Sequence, residues 1–238
     1  MPLEAFKFKQ FSVAHDRCAM KVGTDAVILG AWAAINHLPK SILDIGAGSG
    51  ILSLMLAQRS NANLIDGLEI DVEAFEQCVT NFEASPWSDR LFCYHCSLGE
   101  FTAEIQTKYE LIISNPPFYT TYCKGVNQSR KLARFEGAMP FDELLYSVKL
   151  LMTENGKFCT VIPYEMEDKF TKIAKKNSLY CNKILRVRGQ KNKIIKRSFA
   201  VFSFKKKSTV INEMFIEEER HIYSKDYIQM TKEFYLKF

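Results

Sequence analysis

The sequence predicts an α/β fold: a doubly wound, mostly parallel sheet of seven strands with helices on both faces and an antiparallel last strand. Of the 238 residues, 47% are hydrophobic and 25% charged, which excludes disordered and fibrous classes. From residue 41 onward, short β-rich runs alternate with helical patterns, as they do in sheets built from βαβ units. The last two β-rich runs have no helix between them, so we expect them to pair antiparallel.

Turn residues limit the predicted elements. The first strand runs into a glycine cluster, the fourth stops at Pro116, and the fifth lies between Gly156 and Pro163. A basic loop at 189–198 joins the last two strands. The predicted strands are 41–45, 64–70, 90–96, 111–114, 157–162, 184–188 and 199–204, and the predicted helices are 25–35, 51–59, 72–84, 141–153, 165–177 and part of 223–238.

The chain is expected to form one domain, 1–238, with an N-terminal flap at 1–40, a core at 41–207 and a C-terminal extension at 208–238. The charge-free stretch 27–39 is too short to span a bilayer, and the first eleven residues lack the apolar core of a signal peptide. Seven cysteines at irregular spacing do not suggest a disulfide framework. We therefore expect a cytoplasmic protein with no membrane partner.

Positive charge is concentrated in one segment. Of the 32 Lys and Arg residues, 14 lie within 169–207, whereas all 27 Asp and Glu residues lie outside it. A solvated surface is the ordinary explanation of a Lys-rich run. A single-sign run of this length nevertheless repels itself unless a partner neutralises it, which favours a polyanionic partner such as a nucleic acid.

A glycine loop follows the first predicted strand. Gly46, Gly48 and Gly50 come where this strand passes to a helix, whose free N–H groups suit an anionic or polar ligand. The spacing is G-x-G-x-G, which is neither the dinucleotide motif nor a P-loop. Glu69 ends the next strand, where a carboxylate can accept both hydroxyls of a ribose. Together with Asp44, these residues predict a site for an adenosine-containing cofactor.

The sequence Asn-Pro-Pro-Phe follows the fourth predicted strand. Two prolines stop the strand and fix the backbone at its carboxyl end, where open α/β sheets bind ligands. The side-chain carbonyl of Asn115 and the main-chain carbonyl of Pro116 can accept the two protons of a planar amino group, and Phe118 offers a face for stacking. A plain turn explains the prolines but not the Asn and the aromatic residue together.

These groups suit methylation of an exocyclic amine. The lone pair of such a nitrogen is delocalised, so it attacks only when its protons are held and the developing positive charge meets fixed oxygen dipoles. The methyl donor must be activated and held in line. The glycine loop, Glu69 and Asn-Pro-Pro-Phe therefore predict S-adenosylmethionine as the cofactor.

Three motifs resemble a known family. D-I-G-A-G-S-G, L-E-I-D and I-S-N-P-P-F are similar to the motifs of class I, Rossmann-like methyltransferases that act on amino groups. F-x-F-K-Q-F followed by M-K-V-G-T-D-A-V-I-L-G-A-W resembles a bacterial subgroup that methylates N6 of adenosine 37 in valine tRNA. The resemblance is clear over 6–163 and continues to the end of the chain.

The resemblance implies a role for particular residues. Lys21, Gly23, Thr24 and Asp25 would close over the methionine end of the cofactor. Ser97 stands where many relatives place an acidic residue near the cofactor adenine, so it is a weaker candidate. The implied cofactor set also contains Asp44, Gly46, Gly48, Gly50 and Glu69, and the implied target-base set is Asn115, Pro116 and Phe118.

The predicted substrate is tRNA. Lys191, Lys193, Lys196 and Arg197, placed in the 189–198 loop, would bind phosphates while an unpaired adenine enters the site. A protein glutamine amide presents the same planar NH2, duplex DNA adenine is a third substrate class, and a non-catalytic RNA-binding relative is a fourth alternative. The sequence indicates no obligate protein partner.

No metal site is predicted. Cys93 and Cys96 bracket a His residue and look like half of a zinc site, but no second pair exists elsewhere in the sequence. Structural zinc needs four converging ligands.

Overall fold

A computed structural model describes residues 4–117 and 140–238. Its strands follow the βαβ alternation of the sequence and then a run of strands near the C-terminus. They are β1 (Phe6–Lys7), β2 (Ser12–Val13), β3 (Ser41–Ile45), β4 (Leu64–Glu69), β5 (Leu91–His95), β6 (Tyr109–Ser114), β7 (Met152–Pro163), β8 (Tyr180–Gln190), β9 (Ile195–Ser203), β10 (Val210–Glu219) and β11 (Ile222–Tyr223).

Helices connect most of these strands, and several begin at polar capping residues. The side chains of Asp71, Ser97 and Ser224 each accept a backbone N–H of the first turn that follows. The α-helices of the described ranges are α1 (Thr24–Trp32), α2 (Ile51–Arg59), α3 (Val72–Glu83), α4 (Leu98–Glu104), α5 (Phe141–Leu151), α6 (Glu167–Lys176) and α7 (Lys225–Thr231).

Nine strands form one sheet in the order β11-β10-β8-β9-β7-β6-β3-β4-β5. Within it, β9 and β11 run antiparallel to their neighbours and the other pairs are parallel. The remaining two strands, β1 and β2, form a separate antiparallel ribbon. The predicted α/β class, its mostly parallel sheet and the antiparallel return of β9 are confirmed.

The sheet is two strands wider than predicted. All seven predicted strands form and are neighbours, and β10 and β11 extend them at one side. Strand β10 has the sequence V-I-N-E-M-F-I-E-E-E, in which only Met214 is fully buried. A strand this exposed lacks the alternation of apolar and polar residues that reveals most strands, and the sequence analysis missed it for this reason.

Two predicted boundaries also differ. Helix α5 ends at Leu151, and β7 begins at Met152 and runs through Asn155 and Gly156. The ladder between β6 and β7 is irregular here, with a register shift between Tyr109 and Leu111. These turn residues therefore mark an irregularity inside a strand instead of the end of a helix.

The buried side chains form two layers, one on each face of the sheet. The first contains residues of α1, α2, α3 and α7, and the second contains residues of α4, α5 and α6. This division is the doubly wound arrangement that the alternating pattern predicts.

The two ends of the described chain lie together. Phe8 bridges to Tyr235, and the ammonium of Lys9 donates to the backbone oxygens of Lys232 and Phe238 at 2.6 and 2.8 Å. The rings of Phe6 and Phe8 lie 6.2 and 6.0 Å from the ring of Tyr235. The N-terminal flap thus packs on the C-terminal extension.

Across residues 4–117 and 140–238, we find no helix with the length and apolar character that crossing a membrane requires.

Candidate active site

The carboxyl ends of four parallel strands define the candidate site. Strand β3 lies between β4 and β6, and Ile45 pairs with Leu68 on one side and with Ser114 on the other. Glu69 at the end of β4 pairs with His95 at the end of β5. The glycine loop, Glu69 and Asn115 therefore lie at one edge of the sheet, where open α/β folds bind their ligands.

The three loop glycines all have positive φ, of 73° at Gly46, 54° at Gly48 and 77° at Gly50. A Cβ on Gly46 or Gly48 would meet no atom within 4 Å, so both face open space. A Cβ on Gly50 would lie 2.5 Å from the ring of Phe82 and 2.9 Å from the sulfur of Cys78. Two glycines thus leave room for a ligand, and the third allows the loop to pack on α3.

Backbone amides hold the carboxylate of Glu69. Its Oε2 accepts the N–H of Gly48 at 2.8 Å, and its Oε1 accepts the N–H groups of Ile70 and Asp71, both at 2.9 Å. Glu69 is only 9% exposed, and these three amides fix the orientation of its carboxylate. A carboxylate with lone pairs left over can accept the hydroxyls of a ribose.

Asp44 lies beneath the loop. Its Oδ2 accepts the N–H of Ser53 at 3.2 Å and the hydroxyl of Ser53 at 2.8 Å, which anchors α2. Its Oδ1 is buried and has no hydrogen-bond partner within the described residues. Burial raises the pKa of Asp44 to about 7. The predicted cofactor residue Asp44 thus anchors the helix that follows the glycine loop, and its second carboxyl oxygen is not used by a hydrogen bond within the described residues.

The segment 14–22 fastens the flap to α3 beside Glu69. Asn81 exchanges hydrogen bonds with the backbone of Ala14 at 2.9 and 2.8 Å and also donates to the oxygen of Ser49 in the glycine loop. The side chain of Gln77 accepts the N–H of Arg17 at 2.9 Å. The flap and the loop are therefore connected through one helix.

Two residues in this segment were not predicted as part of the site. His15 is buried, and its Nδ1 accepts the N–H of Val22 at 3.0 Å, which closes the 15–22 loop. Burial, followed by the charges of Glu69, Asp71 and Asp16, raises the pKa of the Cys18 thiol to about 11. Cys18 is therefore a neutral thiol facing the carboxylates, and no motif in the sequence marks it.

Helix α1 follows this segment. Gly23 is its N-terminal capping residue, Thr24 and Asp25 form its first turn, and Lys21 is exposed just before it. The carboxylate of Asp25 accepts the Nε–H of Arg197 at 2.7 Å. A predicted cofactor residue and a predicted RNA-binding residue thus form an ion pair with each other.

The predicted loop at 189–198 is shorter in the structure. Strand β8 continues to Gln190 and β9 begins at Ile195, so only 191–194 connect them. Lys191 and Lys193 lie in this connection, but placing Lys196 and Arg197 in it was wrong, because both belong to β9. Ile194 and Ile195 are β-branched, and β-branched residues favour strands. Strand β9 therefore begins earlier in the sequence than the Lys-rich composition of 189–198 predicted.

The start of the Asn-Pro-Pro-Phe motif lies next to the glycine loop. The hydroxyl of Ser114 donates to the backbone oxygen of Ile45 at 2.8 Å and joins the ends of β6 and β3. Asn115 is half-buried and Pro116 is buried. Phe118, predicted to stack on the target base, lies outside the described residues.

Ser97 has a local structural role. Its hydroxyl accepts the N–H of Glu100 at 3.2 Å and donates to the carboxylate of Glu100 at 2.7 Å, which in turn accepts the N–H of Ser97. This reciprocal capping begins α4. The hydroxyl is therefore already engaged, which weakens Ser97 as a cofactor ligand.

Within the described ranges, no three His, Cys, Asp or Glu side chains are grouped as metal ligands would be.

The open glycine loop and the fixed carboxylate fit an adenosyl cofactor. The loop leaves space at Gly46 and Gly48, and Glu69 lies directly beside it through the amide of Gly48. The amide groups at the start of α2 supply further donors.

Comparisons with known proteins identify a methyltransferase family model and related folds. Residues 23–135 match the family model "Methyltransferase small domain". Among solved structures, a predicted O-methyltransferase from Agrobacterium tumefaciens has a TM-score of 0.66 at 15% identity, covering 88% of this chain and 96% of that one. A putative RNA methyltransferase from Pyrococcus horikoshii has a TM-score of 0.58 at 16% identity, covering 83% and 93%. At these identities the likeness concerns the fold.

Curated relatives are much more similar in sequence. A protein of Flavobacterium johnsoniae is 56% identical over 233 residues, 98% of this chain and 99% of the relative. One of Christiangramia forsetii is 52% identical over 239 residues, 100% of both chains. One of Photorhabdus laumondii is 40% identical over 234 residues, 98% of this chain and 96% of that one. All three carry one name, and this chain therefore belongs to the family of tRNA1(Val) (adenine(37)-N6)-methyltransferases.

Proposed function

We propose that this protein transfers a methyl group from S-adenosylmethionine to N6 of an adenosine in tRNA, at position 37 of the valine tRNA, as the names of its relatives state. The observation that carries the proposal is the contact between the ends of β3 and β6. Through the Ser114–Ile45 hydrogen bond, the glycine loop and Asn115 lie side by side. A cofactor on the loop and an amine at Asn115 would then be neighbours.

The backbone and carboxylates of this chain would hold the cofactor. Gly46 and Gly48 leave space for it, Glu69 would accept its ribose hydroxyls, and the flap residues from Lys21 to Asp25 would cover its other end. When bound, S-adenosylmethionine supplies an activated methyl group on a sulfonium. The raised pKa of Asp44 keeps much of that buried carboxyl neutral near pH 7, so it can donate as well as accept a hydrogen bond.

Asn115 and Pro116 prepare the amine. The side-chain carbonyl of Asn115 and the main-chain carbonyl of Pro116 each accept one proton of the exocyclic NH2 group. The two oxygens withdraw the nitrogen lone pair from conjugation with the ring and stabilise the positive charge that develops on the nitrogen. Both lie on a backbone that two prolines fix, so little reorganisation is needed. The excess proton then leaves to water.

The chain is proposed to act as one domain, because the flap and the C-terminal extension bind each other and contribute to the same buried layer. Its proposed location is the cytoplasm, where tRNA is present. Lys191, Lys193 and Lys196 are proposed to bind phosphates, and Arg197 shares in this only through the part of its guanidinium that Asp25 leaves free.

Substitution of Asn115 tests the assignment. We expect Asn115→Ala to lower kcat by about 100- to 1000-fold, as removal of one preorganised polar group does, while the Kd for S-adenosylmethionine changes less than about threefold. Single-turnover transfer of labelled methyl to unmodified tRNA and calorimetric cofactor binding measure the two quantities. Asn63→Ala is the matched control, because Asn63 directly precedes β4 and so lies at the amino ends of the strands, opposite the candidate site.

Equal loss of transfer and of cofactor binding in Asn115→Ala would contradict the role of Asn115. Parallel incubations with total protein and with DNA decide the substrate class. Labelling of protein instead of tRNA would replace the proposed function by glutamine methylation.

A further inference from the structure

In the basic segment 169–207, some positive charges are neutralised by ion pairs and others are not. Each arginine on the strands of the hairpin faces a carboxylate. The pairs are Arg186 with Glu167, Arg188 with Glu213, and Arg197 with Asp25. The lysines of this segment form no ion pair within 4–117 and 140–238. The charge available to a partner is therefore carried by lysines.

One group of free lysines lies at the end of the sheet opposite the candidate site. Lys205, Lys206 and Lys207 are exposed and follow β9, which runs antiparallel to β7 and so ends at the amino edge of the sheet. Lys157 lies close by, because the next residue, Phe158, pairs with Phe202 near the end of β9. Burial and then the charges of Lys207 and Lys205 lower the pKa of Lys157. Several like charges thus share one small surface.

Helix α6 runs between the tip of the β8–β9 hairpin and the amino edge of the sheet. It begins at Glu167, which binds Arg186 of β8 and Ser198 of β9, both within a few residues of the tip. It ends just before the start of β8, at the amino edge. Lys169, Lys172 and Lys176 are exposed on it. Spacings of three and four residues place them along one stripe of the helix.

The lysines span a distance that one unpaired loop does not fill. Strand β8 has 11 residues, and at about 3.3 Å per residue it separates the tip of the β8–β9 hairpin from the 205–207 turn by about 35 Å. At roughly 3 Å per stacked base pair, this length corresponds to ten or more base pairs. In a folded tRNA, whose paired stems stack on its loops, a molecule in contact with both ends therefore includes duplex as well as loop.

We propose that the lysines of α6 and of the 205–207 turn form a second phosphate-binding surface, which holds the duplex part of the tRNA while the hairpin lysines hold the loop with the target base. This inference rests on the proposed function and extends it to a particular region of the substrate. It implies that an isolated anticodon stem-loop, whose paired stem is short, does not reach the 205–207 turn when its loop lies at the tip of the hairpin.

Binding of two RNAs tests the proposal. The variant Lys206→Glu/Lys207→Glu is compared with the control variant Lys225→Glu/Lys237→Glu, which changes the net charge equally at exposed lysines of the C-terminal extension. Full-length tRNA and its short anticodon stem-loop are titrated at several salt concentrations, and methyl transfer to both is measured. All four substituted lysines are exposed, so the melting curves of both variants should coincide with that of the unmodified protein.

We expect the 206/207 variant to weaken binding of full-length tRNA by about tenfold or more and to reduce its salt slope by about two, one for each phosphate that the variant no longer neutralises. Binding of the stem-loop by the 206/207 variant should change less than about twofold. The control variant should bind both RNAs within about twofold of the unmodified protein. Unchanged binding of full-length tRNA, or equal loss for both RNAs, overturns the second surface. Length-dependent binding without methyl transfer by the unmodified protein would instead overturn the proposed function and leave the surface standing.

Discussion

At the scale of single residues, Gly48 and Gly50 show that one motif serves two purposes. Both have positive φ, so any other residue is strained by about 1 kcal/mol there. Their surroundings differ, since a Cβ on Gly48 enters open space and a Cβ on Gly50 enters the side chains of Phe82 and Cys78. The open space is the proposed cofactor site, and the crowded space is core.

Alanine at each position should separate these purposes. Gly48→Ala is expected to raise the Kd for S-adenosylmethionine by at least about tenfold with a small loss of stability, because the added methyl occupies ligand space. Gly50→Ala should lower the free energy of unfolding by about 3 kcal/mol, since strain and overpacking add. Denaturant unfolding and calorimetry measure both. If Gly48→Ala lost stability as severely as Gly50→Ala, the space at Gly48 would not be a ligand site.

Asp66, in β4, is a second buried carboxyl. Its Oδ2 accepts the hydroxyl of Tyr109 at 2.6 Å, and its Oδ1 has no partner within the described residues. Burial raises its pKa from 3.8 to about 6. The folded state therefore holds this proton more tightly than the unfolded state, so the contribution of Asp66 becomes unfavourable as the pH rises from about 4 to about 6.

Asp66→Asn should consequently increase the free energy of unfolding by about 1 kcal/mol at pH 8 and by much less at pH 4, since the amide keeps an acceptor for Tyr109 and carries no charge. Urea unfolding at both pH values measures the difference. Asp89→Asn, at an exposed carboxylate, is the control and should change little at either pH. A stabilisation that does not depend on pH would contradict a buried charge as its cause.

At the scale of elements, the β8–β9 hairpin joins the two proposed binding functions. Its connection carries Lys191 and Lys193, and the first residues of β9 carry Arg197, which pairs with Asp25 of α1. The hairpin thus contacts the first turn of α1, which carries residues proposed to cover the cofactor. A change at its tip and a change at Arg197 should have different consequences.

Lys191→Glu with Lys193→Glu is expected to weaken tRNA binding by about tenfold and leave the Kd for S-adenosylmethionine unchanged, because both side chains are exposed and unpaired within the described ranges. Arg197→Glu should weaken cofactor binding as well, since it places a second negative charge beside Asp25. Titrations of each ligand distinguish the two variants. The second change Asp25→Arg should recover part of the loss, and no recovery would show that the ion pair does not position α1.

The bounds of helices and strands were predictable where the local sequence alone determines the backbone conformation. Strand β3 and helix α2 have the bounds that their sequence predicts, because a buried apolar run, a glycine turn and an apolar helix follow one another directly. Helix α4 was missed because its seven residues begin at a local cap and show no long apolar period. Strand β10 was missed because its residues are mostly exposed, so that its pairing with β8 determines its conformation more than its own pattern does.

At the scale of the whole molecule, the predictable part of the site is the part built from neighbouring residues. Gly46, Gly48 and Glu69 follow from strand ends and turn chemistry, and the structure brings them together. The pairing of Asp25 with Arg197 joins residues 172 positions apart, and no local pattern indicates it. The charge of the basic segment was predicted, but its division into paired arginines and free lysines depends on tertiary contacts.

The packing of the flap on the C-terminal extension allows a test of the assembled molecule. The ring of Tyr235 contacts those of Phe6 and Phe8, and its hydroxyl accepts that of Tyr227 at 3.2 Å. Tyr235→Ala should lower the free energy of unfolding by about 2 kcal/mol or more and raise the Kd for S-adenosylmethionine, because the flap loses its support. Tyr235→Phe keeps the ring and should change both far less. Cofactor binding that survives Tyr235→Ala unchanged would show that the flap closes the site without the extension.

The hydrogen bonds of Lys9 join residues 223 and 229 positions apart. Contacts of such long sequence separation form late, because the intervening chain must be ordered before they close. During synthesis, which proceeds from the N-terminus, the flap cannot dock on the C-terminal extension until residues 232–238 have been made. The sheet edge that carries Gly48 and Glu69 can therefore form before the flap is in place, and the proposed cofactor site is completed only after residues 232–238 have folded.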